Sequence, residues 1–377
     1  MIEGKKTKIA ILGGYGNTGL RVAKHLAKSG GFEVVLLGRN GERARKEAEK
    51  LTRAGVQGVT GGVADASRPD TLKRALTGMD IVLSATSDTN SAPKVMRAAF
   101  ELGIDYMDCH LSTPFKWAAL RALESAVVKK GLCFITDGGL HPGVPAAMVR
   151  AAAKDVKIES ADIYGTFNLN WAALSFGQNA AEDFISELRD MDPSVLVKGK
   201  WFRDWKNTSS HDFGDPYGEK KCIAMNFEEM KSLPALIPSL RYGGFYIGGF
   251  GFKIDNIIMP LCLAILWLSP KRVKLAGSLL FWALTHWKTP GQWAIIDLDA
   301  AGTKDDKQVP VKMRLFHEDP YELTALAIVC CLEQYQSEAK RPGAFAQALY
   351  VNPDTFLKAL EAKGVKVAID LGRTTAG

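Results

Sequence analysis

The chain has no zinc-type cysteine spacing, no clustered basic face and no apolar run long enough to cross a bilayer. Its six cysteines, Cys109, Cys133, Cys222, Cys262, Cys330 and Cys331, form no C-x-x-C pair, which speaks against a metal site and for reduced, buried thiols. Neither H-E-x-x-H nor G-x-S-x-G occurs, so metalloprotease and serine-hydrolase chemistries have no foothold. The formal charge is +7, a mild excess; the start, Lys5, Lys6 and Lys8, looks locally basic but has no aromatics between its cations. That is not a nucleic-acid footprint. The first apolar stretch, Ile9–Leu12, runs straight into glycines; it reads as a strand rather than a secretory leader, and the expectation is a cytoplasmic protein.

What is present describes a folded chain. Its 377 residues are 47% hydrophobic and 24% charged, ordinary for a soluble protein and too long for one core. Up to about residue 140, short apolar runs alternate with helical patterns. Lys8–Leu12, Glu33–Leu37, Val56–Val59, Ile81–Ala85, Tyr106–Asp108 and Cys133–Thr136 read as strands. Thr18–Ser29, Glu42–Ala54, Asp70–Leu76, Pro93–Leu102 and Pro114–Lys130 read as the intervening helices. Such alternation predicts an α/β fold with a doubly wound parallel sheet of the Rossmann type.

Between the first strand and helix stands Gly14-Tyr15-Gly16-Asn17-Thr18-Gly19, preceded by Gly13. In that setting G-x-G-x-x-G has a mechanism: glycines let main-chain amides approach a pyrophosphate at a helix N-terminus. The end of the second strand then separates NAD from NADP. A carboxylate there would hold a ribose 2′-hydroxyl, but the chain has Gly38-Arg39-Asn40. A guanidinium pairs with a 2′-phosphate and stacks on adenine, which points to NADP (NADPH) as cofactor. Asp65 and Ala66, after the third strand, are expected near the adenine, although Asp65 equally suits a turn cap before Ser67. Ser84, Ala85 and Thr86, ending the fourth strand, are expected near the nicotinamide.

Hydride transfer to a carbonyl or imine needs a proton carrier with a pKa near neutrality. Asp108-Cys109-His110 and Leu140-His141-Pro142-Gly143 bring His110, His141 and Asp108 into that region, and structural roles for the two histidines remain open. Tyr217 and Lys221 fit Y-x-x-x-K but sit in a turn-rich stretch where a helix would be needed. No metal ligand set is expected.

Beyond Gly143 the pattern changes. Ile158–Leu169, Trp293–Leu298 and Val309–Phe316 read as strands, DAAGTKDDKQ between the last two as a hairpin loop, and Asn179–Met191 as a helix. Arg241–Phe252 is aromatic and glycine-rich, and Pro320–Ser337 and Pro353–Lys363 read as closing helices. Ile257–Leu268 and Leu275–Trp287 are nearly uncharged, with Lys271, Arg272 and Lys274 between them. Each is shorter than the ~20 residues of a bilayer span. They suit either a buried or intersubunit helix pair or a hairpin making peripheral membrane contact through 257–287.

The segments KIAILGGYGNTGLRVAKHL, LLGRN, VADAS, DIVLSAT, GIDYMD and DGGLHPGVPA together resemble the saccharopine dehydrogenase-like oxidoreductases, well over residues 6–150 and loosely beyond. The resemblance implies an NADP-binding Rossmann domain (1–145), a mixed α+β substrate and dimerisation domain (146–319), and C-terminal helices (320–377) that return to the first domain. It implies Gly13, Gly16 and Gly19 at the pyrophosphate, Arg39 at the 2′-phosphate, and Ala85 and Thr86 at the nicotinamide. The second-domain residues with which saccharopine-forming members clamp an amino-acid carboxylate have no match here. The expected protein is a homodimeric NADP-dependent oxidoreductase, acting on a C=N/C–N or C=O/C–OH bond of a small-molecule substrate. Two alternatives stay open: a non-catalytic NADP(H)-sensing regulator, and a membrane-surface reductase of a lipidic substrate.

Overall fold

The computed structural model of the protein describes residues 6–171, 181, 182, 185, 191–269, 271–287 and 291–371. The chain divides into two compact units, Met1–Ala147 with Tyr321–Lys363, and Met148–Pro320 with Gly364–Gly377.

The first unit follows the alternation in the sequence: β1 (Thr7–Leu12), α1 (Asn17–Ser29), β2 (Phe32–Gly38), α2 (Gly41–Arg53), β3 (Val59–Val63), α3 (Pro69–Leu76), β4 (Ile81–Ser84), α4 (Ala92–Leu102), β5 (Asp105–Asp108), α5 (Pro114–Lys129) and β6 (Cys133–Thr136). Ile9 and Ile11 of β1 are as fully buried as Ala10 and Leu12, so both faces of the strand are covered, as a parallel sheet demands. Ala10, Leu12, Val82, Tyr106 and Phe134 share one face with buried residues of α3, α4 and α5. The third strand lies later than the expected Val56–Val59. Gly61 and Gly62 mimic a turn in sequence, but a side chain on Gly61 would come within 2.4 Å of the Arg45 amide. The glycine is there because α2 packs against β3 backbone to backbone.

After the second unit the chain supplies one more strand to this sheet, β15 (Gly343–Ala346), paired in parallel with β6. The order is β15-β6-β5-β4-β1-β2-β3, and strand direction of travel reverses between β1 and β4, the crevice where such sheets bind ligands. Side chains fasten the returning segment. Glu322, from the helix Pro320–Ser337, meets His25 and Arg21 of α1, and the Tyr335 hydroxyl donates to Asp105 of β5.

In the second unit, α6 (Pro145–Asp155), which begins in the first, leads into β7 (Lys157–Asn168). The helix expected over Asn179–Met191 lies almost wholly outside the described residues. A nine-stranded sheet runs β10 (Thr208–Asp212), β11 (Glu219–Ala224), β12 (Tyr242–Gly248), β7, β13 (Trp293–Lys304), β14 (Lys307–His317), β16 (Lys366–Asp370), with β8 (Ser194–Val197) pairing β12 and β9 (Lys200–Arg203) pairing β8. The glycine-rich stretch is thus a strand. Gly243, at φ +154°, lies where a side chain would strike the Ala161 carbonyl of β7. The ten-residue loop expected between β13 and β14 shrinks to a turn at Asp305 and Asp306, both with positive φ, the conformation that matches the twist of a two-residue hairpin.

This sheet curls. His211 of β10 stacks on Tyr164 of β7 with ring centroids 4.1 Å apart and places Nε2 2.9 Å from Asp297 Oδ2 of β13, although two strands separate β10 from β7. Asp162 of β7 stands directly across from Asp299 of β13, a like-charge pair that sheets disfavour. Burial, with the Asp299 charge added, pushes the Asp162 carboxyl up to about 6. The folded chain therefore keeps this proton to higher pH than the unfolded chain, and the associated stability is present below pH ~4 and lost as pH rises through ~6. Asp162→Asn should raise unfolding stability at pH 8 by roughly 1–2 kcal/mol and flatten its slope between pH ~4 and ~6. Thermal melts across that range check this; a variant that melts lower at pH 8 with the slope intact contradicts it.

Candidate functional site

The glycines of the first turn are fixed by close backbone approaches. Gly13 has φ +76°, and a side chain there would lie 2.4 Å from the Ala85 carbonyl oxygen. Gly14 would meet the Ile11 carbonyl and Leu36 Cα at 2.8 Å, and Gly19 the Gly13 carbonyl at 2.4 Å. The Ala85 amide, in turn, donates to the Leu12 carbonyl. The turn is thus pressed into the junction between β1 and β4. Gly16 is held less closely: a side chain there would lie 3.1 Å from the Gly13 carbonyl, to which its amide donates at 2.8 Å. Gly16 is the N-cap of α1, makes no side-chain cap, and is followed by a first turn without acidic residues. The opening amides of α1, at Asn17, Thr18 and Gly19, form the positive end of the helix and suit a diphosphate.

At the end of β2, the Tyr15 ring covers Gly38, where a side chain would come within 2.4 Å of it. Its hydroxyl accepts from the Asn40 amide at 3.1 Å, and the Arg43 guanidinium lies 5.0 Å from the ring centroid. The Asn40 side chain caps α2 by accepting from the Arg43 amide. Arg39 is exposed and makes no hydrogen bond or ion pair among the described residues. Two guanidiniums, Arg39 and Arg43, therefore flank this strand end, and only the first was legible in the sequence. Asp65 accepts from the Ser67 amide and hydroxyl. Those bonds, hydroxyl first, hold its carboxyl below the ordinary range, and the Arg39 charge adds to this. Ala66 lies inside the same turn.

Around the ends of β4, β5 and β6 a polar cluster is sealed inside the unit. Ser84 is fully buried, with a hydroxyl that has no partner among the described residues. Thr86 Oγ1 lies 3.2 Å from His110 Nε2, while His110 Nδ1 is buried without a hydrogen-bond partner among the described residues, 4.0 Å from Asp108 Oδ1. Burial lowers the His110 pKa and keeps the ring neutral. Asp108 is wholly engaged: it accepts from Lys116 Nζ (2.9 Å), the Thr136 hydroxyl (2.6 Å), the Tyr106 hydroxyl (2.9 Å) and the His110 amide (3.0 Å). Lys116 Nζ also donates to the His110 carbonyl at 2.9 Å and stands 2.7 Å from Asp137 Oδ1. Burial opposes charge on all three groups. The Lys116 ammonium nevertheless brings Asp108 below the usual carboxylate range, the two carboxylates hold Lys116 above the usual amine range, and burial leaves Asp137 raised.

Lys116 went unread in the sequence, although one local conflict marks it. It lies in the first turn of α5, whose N-cap is Thr113, and a cation at the positive end of a helix needs a reason. The passage after β6 is held by Gln347, whose amide nitrogen donates to the carbonyls of Gly139 and Gly143 and whose oxygen accepts from the Gly139 amide. His141 lies on that turn, half-buried, with a pKa lowered by burial. Tyr217 and Lys221 belong to the second unit, where Tyr217 packs edge-on against Trp293. No group of three His, Cys, Asp or Glu among the described residues suits a metal.

A glycine turn seated at the β1–β4 reversal of a 3-2-1-4-5-6 sheet defines a Rossmann-type dinucleotide-binding protein. Residues 9–135 match the saccharopine dehydrogenase NADP binding domain. No curated protein matches the chain in sequence. Apo saccharopine dehydrogenase (L-Glu forming) from Saccharomyces cerevisiae is similar in fold, with TM-score 0.67 and 15% identity over 97% of this chain and 100% of that one. DAP dehydrogenase of C. glutamicum, in complex with DAP, gives TM-score 0.48 and 13% identity over 96% and 100%. The family model thus covers about a third of the chain, residues 9–135, and beyond it the likeness is one of fold.

Two measurements follow. Arg39→Ala should weaken NADPH binding by about 1.5–3 kcal/mol while barely changing NADH binding; equal losses for both in calorimetric titration would exclude a 2′-phosphate partner. Lys116→Met leaves two buried carboxylates uncompensated and should cost about 3–5 kcal/mol of unfolding free energy. Urea denaturation of the variant reads this, and a loss below ~1 kcal/mol would mean the cluster is not held by the lysine.

Proposed function

We propose that the chain is an NADP-dependent oxidoreductase that reduces a C=N or C=O bond of a small substrate, or oxidises the corresponding amine or alcohol. The observation that carries this reading is the convergence, at the ends of β4, β5 and β6, of Thr86, His110 and the Asp108–Lys116–Asp137 cluster beside the glycine turn. NADP, bound along the strand ends, would supply a hydride donor or acceptor.

The chain's own residues have distinct parts in this proposal. Amides of the first turn of α1 bind the diphosphate, and Arg39, with Arg43 beside it, meets the 2′-phosphate. Asp108 has no free lone pair facing outward and is fully ionised, so it serves as a positioning residue. It fixes the His110 amide and Lys116, and His110 in turn orients the Thr86 hydroxyl. Of the two histidines, His141 is the less buried, and we assign it the proton transfer with substrate. Burial disfavours its protonated form, so near neutrality the ring is ready to accept a proton in the oxidative direction.

The test is NADPH oxidation followed by absorbance across α-keto acids with amines, cyclic imines and enones. We expect turnover with at least one class. We expect His141→Gln to lower kcat by about 10²–10⁴-fold with NADPH affinity retained. In the oxidative direction the rate should climb with pH through a value below 6.5 and then level off. Tight NADPH binding without turnover on any class would instead favour the sensor reading, and an unaltered kcat in the variant would remove His141 from the chemistry.

A further inference from the structure

The helices Met259–Leu268 and Val273–His286 form a hairpin with one satisfied face and one bare one. Cys262 and Leu266 of the first pack with Ala276, Leu280, Ala283 and Leu284 of the second in a shared core. The opposite side carries Trp267, Phe252 and Leu268, exposed by 84%, 80% and 71%, together with Leu261, Leu263 and Leu275. The segment Met259–Leu268 has no charged side chain on any face. A helix that is apolar all round is one whose surroundings are apolar too. A π-helical turn at Ile254–Ile258 leads directly into the helix carrying Pro260, and Phe252 and Ile257 extend the exposed apolar side chains toward its start, with exposed Lys253 and Asn256 between them.

Charge identifies what covers this surface. The connection between the helices exposes Lys271, Arg272 and Lys274. The one acid between 252 and 287 is Asp255, and it is turned inward to accept from the amides of Phe250 and Gly251. Every other formal charge between residues 252 and 287 is positive. Pairing with a second copy about a two-fold axis would set this patch against itself and gather the same cations on one rim. Anionic lipid headgroups complement both features at once: the side chains enter the acyl boundary and the cations stay among phosphates. No helix among the described residues is long and apolar enough to cross a membrane, so the contact is shallow.

We propose that this hairpin docks the protein on the surface of an anionic lipid bilayer, with Trp267, Leu268 and Phe252 inserted and Lys271, Arg272 and Lys274 at the headgroups. The proposal goes beyond the oxidoreductase reading and does not need it, since the assay uses neither cofactor nor substrate. The full chain is mixed with vesicles of phosphatidylcholine, or of phosphatidylcholine with phosphatidylserine, and sedimented. We expect binding to the mixed vesicles at least tenfold stronger than to the neutral ones, weakened by salt. The exposed-residue variant W267S/L268S should lose at least tenfold on mixed vesicles. K271E/R272E/K274E should lose about a hundredfold on them while changing little on neutral ones. Light scattering of the same proteins reports their size. Absence of vesicle binding by the wild-type chain overturns the proposal. So does a wild-type dimer that W267S/L268S converts to a monomer without any lipid partition, because a second copy would then own the face.

Discussion

The structure depends on a backbone contact that leaves no room for a side chain. Between β1 and β4 the Ala85 carbonyl stands where Gly13 would carry its Cβ, and Gly19 bears on Gly13 from the opposite direction. This brings the opening of α1 close over the strand reversal. A methyl group at either glycine would force β1 and α1 apart, and the donors that suit a diphosphate would no longer converge. Gly16 closes the turn by donating its amide to the Gly13 carbonyl, and the amides that follow it open α1. The turn is rigid because its glycines pack on backbone, and bare because none of them carries a side chain.

The same economy governs the ends of β4, β5 and β6. A lysine and two aspartates inside a protein are favourable only if each charge finds the others, and here Lys116 bridges Asp108 and Asp137 with short contacts. Buried pairs of this kind add little stability over an apolar core, but they fix geometry. What they fix is the strand end carrying His110, and through it the Thr86 hydroxyl. In the second unit the analogous network, His211 and Arg314 on Asp297, closes the curl of the large sheet instead.

Much of the first unit was legible because a parallel sheet covered on both faces writes its strands as continuous apolar runs. Residues 9–12, 81–84 and 133–136 are such runs, and the helices between them are amphipathic. β3 was placed three residues early because Gly61, needed for the closeness of α2, and Gly62, against Leu37, imitate a turn. β15 escaped because four residues of GAFA carry no periodicity. The glycine turn and Arg39 could be read from motif and context, but Arg43, Lys116 and Gln347 could not. Each works on residues distant in sequence or on another side chain, and a single chain records no such pairing. In the second unit the long strands β7, β13 and β14 announced themselves. β8 to β12 did not: β9 and β10 have no buried residue, and β11 has only two, so they carry no apolar run or clean alternation.

The central claim is that the main-chain amides opening α1, at Asn17, Thr18 and Gly19, with Arg39 beyond them, hold NADP. Calorimetric titration of the full chain with NADPH addresses it most directly. The account predicts saturable binding of one NADPH per chain, tighter than NADH, and abolished when Gly19 becomes valine in a variant that still melts cooperatively. No heat at millimolar nucleotide from the folded wild-type chain, or equal binding by the folded valine variant, would contradict it.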